Sequence, residues 1–180
     1  MAHNLNYNER TGKYSFFSVQ QKAWHNLGQI VEQYPTSAES IKYAGLDFEV
    51  IKSPLYTRGT GISISDDGEI KEGGNILLPD NFATMRTDTN TVFGVVGKDY
   101  QIVQNADAFA FFDAIVGGGD GILYETAGAL GNGERIFITA KLPDYIRVGN
   151  GDDVTEKYIF LTTSHDGTGS ITAAFTPVRI

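Results

Sequence analysis

The chain has 180 residues, which suits one domain of ordinary size. Hydrophobic residues make up 41% and charged residues 20%, a composition that excludes a disordered or fibrous protein. Lys and Arg number 14 against 22 Asp and Glu, so the formal net charge is −8 and no segment forms a basic arm. This balance makes a broad duplex-binding surface a poor expectation, but it leaves room for a local basic groove.

Cysteine is absent, which excludes a disulfide framework, a thiolate nucleophile and a zinc–thiolate site. The first six residues are polar and lack the cationic and apolar segments of a signal peptide. The longest apolar stretch, residues 108–116, is interrupted by Asp113 and is too short to span a bilayer. We therefore expect a soluble, cytoplasmic protein that does not associate with membranes.

Helical patterns occur at three places. The first is weak and covers Val19–Leu27, where apolar residues recur at every fourth position. The second begins with Thr36-Ser37-Ala38-Glu39, a capping box, and is predicted to run to Ala44 and end at Gly45. The third begins at Asn105 and runs to Val116, with Phe109, Phe112 and Val116 on one buried face.

The rest of the chain consists of β-favouring runs separated by glycine clusters. Residues 88–90, 131–133 and 166–169 have the composition of hairpin turns. Few helices among antiparallel strands indicate the α+β class, with two or three short helices packed on a largely antiparallel, hairpin-rich sheet. The predicted strands are Phe48–Tyr56, Phe82–Arg86, Thr91–Val96, Gly121–Leu130, Arg135–Leu142, Thr155–Ser164 and Ser170–Arg179.

The end of the sequence is a strand-like run, residues 170–180, without a polar tail. Chain ends are usually polar and frayed. We therefore expect residues 1–180 to form a single α+β domain that is the N-terminal part of a longer protein.

Histidine is the first residue type to consider for chemistry near neutral pH. His25 lies beside Trp24, the only tryptophan. This pair could present a stacking surface to a ligand, although such a tryptophan more often anchors the core. His165 lies between Ser164 and Asp166, but neighbours on a strand point to opposite faces and do not form a catalytic triad. We expect Asp166 to stabilise its own turn instead.

Other binding chemistries have little support. The glycine cluster at 117–119 follows a helix instead of preceding one, so it does not form a phosphate loop. The acidic doublets at 66–67 and 152–153 lack the spacing of a calcium loop, and we expect no metal and no cofactor. Five tyrosines lie on or near strands, where they could stack on bases or pack within the fold, and packing is the more common role. They are Tyr56, Tyr100, Tyr124, Tyr145 and Tyr158.

Several blocks of the chain, in order and spacing, resemble the phage/plasmid-like protein family, a domain of unknown function carried by mobile elements. The resemblance implies a genetic context and supplies no catalytic residues. Family members continue past the last block, which agrees with a longer protein. The blocks are Ala23-Trp24-His25-Asn26-Leu27-Gly28, Tyr34-Pro35-Thr36-Ser37-Ala38-Glu39, Val95-Val96-Gly97-Lys98-Asp99-Tyr100-Gln101-Ile102-Val103-Gln104-Asn105, Thr163-Ser164-His165-Asp166-Gly167 and Thr176-Pro177-Val178-Arg179-Ile180.

Three functions follow as hypotheses. The first is a non-enzymatic accessory of DNA transactions that binds or anneals single strands, working as an oligomer. The second is an acidic module that binds a host protein. The third is an enzyme with a pocket around His25 or His165. The candidate binding residues, chosen because they lie in the family-like blocks, are Trp24, His25, Tyr100, His165, Asp166 and Arg179.

Overall fold

A computed structural model describes residues 4–115, 123–147 and 154–179. It contains strands in four sheets and two helices. In chain order these elements are β1 (Tyr7–Asn8), β2 (Lys13–Tyr14), β3 (Phe16–Val19), β4 (Gln29–Val31), α1 (Ser37–Tyr43), β5 (Val50–Arg58), β6 (Ile62–Ile64), β7 (Ile70–Glu72), β8 (Asn75–Arg86), β9 (Val92–Gly97), α2 (Asn105–Ile115), β10 (Leu123–Leu130), β11 (Arg135–Arg147), β12 (Val154–Ser164) and β13 (Thr172–Arg179).

The main sheet has six strands in the order β13-β12-β11-β10-β3-β4. All neighbours are antiparallel except β3 and β4, which are parallel. The predicted turns at 131–133 and 166–169 join β10 to β11 and β12 to β13, so those hairpins are confirmed. The α+β prediction is confirmed for the described residues, while residues 121–122 of the predicted strand from Gly121 lie outside them.

Helix α1 confirms the capping box. The Thr36 side chain accepts from the Glu39 amide, and the Glu39 carboxylate accepts from the Thr36 amide at 2.9 Å. The helix ends at Tyr43 with Ala44 as its C-cap, and the next residue, Gly45, has a φ of +63°, the left-handed conformation that glycine adopts most easily. Helix α2 buries Phe109 and Phe112 as predicted, whereas Val116 lies outside the described residues. Neither of these helices has the length and apolar character needed to cross a membrane.

The predicted helix over Val19–Leu27 is wrong. Val19 ends strand β3, and the following residues form the loop that leads to β4. Gln20 and Asn26 have φ values of +58° and +56°, which lie in the left-handed region and cannot continue a right-handed helix. The spacing of apolar residues alone was therefore not enough to predict a helix here. The described residues contain two helices, α1 and α2.

A second sheet has the order β5-β8-β9 and includes the confirmed hairpin at 88–90. Its strand β8 begins seven residues earlier than predicted and extends with β5 into a long arm. The Gly59 amide donates to the Gly74 carbonyl at 2.9 Å, and the β6–β7 hairpin continues the arm. The apolar side chains on the hairpin are largely exposed; they are Ile62, Ile64 and Ile70.

The core lies between the main sheet and the two helices. Ile138 and Leu161 occupy opposite positions of neighbouring strands and are fully buried. Phe17 from β3 and Phe112 from α2 belong to the same apolar cluster. Burial of side chains of this size, at roughly 1.5–3 kcal/mol each, supplies the main stabilisation of the fold.

Candidate nucleic-acid interface and the buried histidine

His165 lies in the interior, 1% exposed, directly after strand β12. Its Nε2 lies 2.8 Å from the Oδ1 of Asn105, and the Asn105 amide nitrogen donates to the Leu46 carbonyl at 3.0 Å. The amide oxygen of Asn105 therefore accepts, which assigns the histidine proton to Nε2. The ring stacks on Phe93 with centroids 5.9 Å apart. His165 is a hydrogen-bonded core residue that joins β12 to the start of α2.

Tyr100 connects the same two segments. Its hydroxyl donates to the Ser164 carbonyl at 3.1 Å. Burial raises the pKa of Tyr100, and the nearby Asp166 carboxylate raises it further. The hydroxyl is therefore a neutral donor at physiological pH. The family-like blocks at 95–105 and 163–167 thus meet in space through Tyr100 and His165, in contacts that hold the fold together.

Asp166 stabilises its own turn, as predicted. Its Oδ1 accepts from the Thr168 amide at 2.9 Å and from the Thr168 hydroxyl at 2.6 Å. Partial burial raises the pKa of the Asp166 carboxyl, but the hydrogen bonds from Thr168, together with smaller effects of Ser164 and Arg135, lower the pKa overall. The Ser164 hydroxyl donates to the Gly169 carbonyl and not to the histidine. Ser164, His165 and Asp166 therefore do not form a triad.

Gly94 allows strand β9 to approach this turn closely. A Cβ atom at Gly94 would lie 2.6 Å from the Asp166 carbonyl oxygen, which belongs to the backbone and cannot rotate away. We expect Gly94→Ala to lower the free energy of unfolding by about 1–3 kcal/mol through overpacking. Gly97→Ala is the matched control, because nothing lies within 4 Å of a Cβ there. Urea denaturation of both variants checks this, and equal stability would contradict it.

Trp24 is 74% exposed, so its predicted role as a core anchor is wrong. Its ring lies against His25, with centroids 5.6 Å apart. The His25 Nδ1 accepts from the Leu27 amide at 3.0 Å, and its ring packs against Phe16. The left-handed Gln20 and Asn26 that break the helix pattern are the reason that this segment projects as a loop.

The six candidate residues do not form one site. Trp24 and His25 lie in the β3–β4 loop at one side of the main sheet. His165 and Asp166 lie in the β12–β13 turn toward the other side, with β10 and β11 between. Arg179 is the last residue of β13, paired with Thr155. Tyr100 contacts the segment that contains His165, through its hydrogen bond to the Ser164 carbonyl.

Arg86 is the largest fully buried side chain among the described residues, and its role was not predicted from the sequence. Its guanidinium donates to both carboxylate oxygens of Asp88, at 2.7 and 2.9 Å, and to the Asn132 carbonyl at 3.0 Å. It also lies 3.9 Å from the centre of the Phe48 ring. The hydrogen bond from Arg86 lowers the pKa of Asp88 despite partial burial. The signal in the sequence was the Arg-x-Asp spacing at a strand end.

Two adjoining clefts open above this ion pair. The smaller has a volume of about 430 Å³ and has Arg86 and Asp88 in its wall. The larger, about 630 Å³, lies between the β1–β2 hairpin and the end of α1. Asn8, Arg10 and Asp88 line both clefts, so the two clefts share a wall. Neither His25 nor His165 is among their lining residues.

The larger cleft, which we call the hairpin groove, is lined by Arg10, Lys13, Lys42, Tyr14 and Tyr43 together with Asp47, Asp88 and smaller residues. Three cations thus face two carboxylates in a chain whose net charge is −8. One of those carboxylates, Asp88, is already held by Arg86 from the interior. The hairpin groove is therefore locally basic.

Local turn chemistry positions the basic and aromatic side chains of the groove. The Asn8 side chain accepts from the Arg10 amide at 3.0 Å, which closes the turn between β1 and β2. Across this hairpin the rings of Tyr7 and Tyr14 pack with centroids 5.0 Å apart, and both remain partly exposed. The Tyr43 ring rests on the fully buried Phe17. Rings held in this way are available for stacking without a large loss of conformational entropy.

Among the residues that the structure describes, no three potential metal ligands lie close enough together to bind a metal ion.

Comparison with known proteins gives one match. Residues 92–180, from β9 to the end of the chain, are similar to the family described as "Domain of unknown function (DUF932)". No curated protein and no solved structure matches the chain. The match supports an uncharacterised domain family, and the hairpin groove lies outside the matched residues.

Proposed function

We propose that the chain is a non-enzymatic accessory of DNA transactions, encoded by a phage, plasmid or related mobile element, that binds single-stranded nucleic acid in the hairpin groove. The observation that carries the proposal is the convergence of Arg10, Lys13 and Lys42 with exposed tyrosine rings in one groove of an acidic chain. The resemblance of the family-like blocks supplies the genetic context.

The groove has the two features that sequence-independent binding of single strands requires. Cations along a groove neutralise successive phosphates, and aromatic faces stack on the unpaired bases. Arg10 has a side chain that is 65% exposed, so its guanidinium can reach a phosphate while Arg86 retains Asp88. A groove bounded by a hairpin suits a flexible single strand better than the broad, strongly basic surface that duplex binding needs.

We expect the 180-residue chain to bind a labelled oligothymidylate in fluorescence anisotropy, with an affinity that falls as salt rises. Lys13→Glu and Lys42→Glu should each weaken binding by about tenfold and reduce the salt slope by about 0.7, the value of one lost phosphate contact. Lys98→Glu is the matched control, since Lys98 is exposed but pairs with Asp80 away from the groove lining.

Stacking is tested separately with Tyr14→Leu, which should weaken binding at least fivefold and leave the salt slope unchanged. Tyr56→Leu is its control, because Tyr56 is exposed on the arm and does not line the groove. Absence of salt-sensitive binding, or equal losses in the groove variants and their controls, would overturn the proposal.

A further inference from the structure

Strand β13 is an exposed edge of the main sheet. It pairs with β12 on one side, and no other strand of the described residues pairs with it on the opposite side. Residues 172–176 are all exposed and carry no charge, and Phe175 is 71% exposed. Such an edge presents a row of backbone N–H and C=O groups that can pair with another strand.

In the six-stranded and three-stranded sheets, the edge strands other than β13 carry features that discourage such pairing. Strand β4 has only three residues and is followed by Glu32. Strand β5 carries Lys52 and Pro54 and has a bulge after Pro54. The pairing of β9 with β8 has an irregular register between Thr84 and Met85. Charge, proline, bulges and covering are the devices by which sheets avoid edge-to-edge association.

β13 has none of these devices over residues 172–176. Its register with β12 continues without a shift from Thr155 opposite Arg179 to Thr162 opposite Thr172. Phe175 and Ala173 are paired with Ile159 and Leu161, so they extend the core-facing side of the sheet beyond its last covered strand. Over these five residues the strand is regular, uncharged and apolar on that face, and Pro177 and Arg179 lie beyond them.

The sequence of the strand also identifies the partner that fits it. Residues 172–176 read Thr-Ala-Ala-Phe-Thr. In an antiparallel pair centred on Ala174, Thr172 lies opposite Thr176 of the second copy, and Ala173 lies opposite Phe175 of the second copy. Thr–Thr pairs and a ring beside a small residue are favourable cross-strand neighbours. A two-fold interface requires this kind of self-complementarity.

We propose that two copies of the chain associate through β13, antiparallel about a two-fold axis at Ala174, and join their main sheets into one. Residues 172–176 carry no charge, so charge repulsion between the two chains, each of net charge −8, is not concentrated at the centre of the interface. The interface is separate from the hairpin groove, whose lining residues come from the first half of the chain.

Cysteine scanning tests the pairing directly, because the chain contains no cysteine. Opposite residues of an antiparallel pair have Cα atoms about 4.5–5.5 Å apart, which is within the range of a disulfide. Under mild oxidation Ala174→Cys should give a covalent dimer in more than half of the protein. Thr57→Cys, exposed on the edge strand β5, should remain monomeric on a denaturing gel.

The register has its own readout. A mixture of Thr172→Cys and Thr176→Cys chains should form mixed dimers in preference to dimers of either variant alone. Equal cross-linking at Ala174 and Thr57, or no preference in the mixture, would overturn the proposed pairing.

Sedimentation equilibrium tests the association without a covalent bond. Phe175→Lys should raise the dimer dissociation constant at least tenfold, although it makes the net charge less negative. Ile64→Lys is the control, because Ile64 is equally exposed but lies on the arm. An unmodified chain that is monomeric at 100 µM overturns the proposal, as does dissociation caused by Ile64→Lys and not by Phe175→Lys.

Discussion

Replacement of Arg86 by alanine is expected to lower the free energy of unfolding by about 3–5 kcal/mol, the usual cost of removing one partner of a buried ion pair. The guanidinium is 2% exposed and makes a two-point contact with Asp88. Alanine would leave the Asp88 carboxylate, 18% exposed, without its interior partner. It would also remove the donor to the Asn132 carbonyl and the contact with Phe48.

Arg10→Ala provides a matched control on the same carboxylate. Arg10 lies 3.7 Å from the Asp88 Oδ2, but its side chain is mostly exposed. An exposed ion pair of this kind contributes about 0–1 kcal/mol, because water screens it and a long side chain loses entropy in forming it. Urea denaturation followed by circular dichroism compares the two variants. Losses of similar size would mean that the buried network around Arg86 is not a main support of the fold.

Local interactions explain why part of the fold could be predicted from the sequence. The capping box at Thr36 and Glu39 and the glycine at 45 act within one or two helical turns, so their outcome hardly depends on the rest of the chain. The hairpin turn at 166–168 is likewise closed by the Asp166 side chain. Each of these predictions was correct because the interacting atoms belong to residues that are close in sequence.

Features that depend on distant parts of the chain could not be predicted in this way. The parallel contact of β3 with β4 and the extension of β8 into the arm are set by strand pairing across the molecule. Arg86 is polar, and polar residues are usually exposed, so its burial follows only from partners such as Asn132 that are remote in sequence. Trp24 is exposed on a loop in which Gln20 and Asn26 adopt left-handed backbone conformations.

The hairpin groove could not be predicted from the sequence for the same reason. Lys13 lies in β2 and Lys42 in the last turn of α1, with β3 and β4 between them in the chain, and only the packing of the β1–β2 hairpin beside the helix end brings them to one groove. The family-like blocks pointed instead to His165 and Tyr100. Those residues do meet, but they form a buried contact in place of an exposed site.

His165 is expected to make the chain less stable as the pH falls from 7.5 to 4. Burial lowers the pKa of His165 to about 4, and the nearby Asp166 carboxylate only partly opposes this effect. In the unfolded chain the same imidazole has a pKa of about 6.5. Between pH 6.5 and 4 the unfolded chain binds a proton at this imidazole and the folded chain largely does not, so the free energy of unfolding decreases as the pH falls.

The loss should approach about 1.4 kcal/mol per pH unit below 6.5 and total about 3 kcal/mol by pH 4. Urea denaturation at half-unit steps measures the unfolding free energy of the unmodified chain. His165→Gln isolates the histidine contribution, because its amide can still donate to the Asn105 oxygen but does not titrate. Carboxylates that titrate near pH 4 affect both proteins equally and cancel in the difference. The stability of the unmodified chain should therefore fall relative to the variant throughout this range. Parallel curves would mean that the folded chain binds a proton at this imidazole as readily as the unfolded chain does, and the assignment of His165 as a neutral core residue would fail.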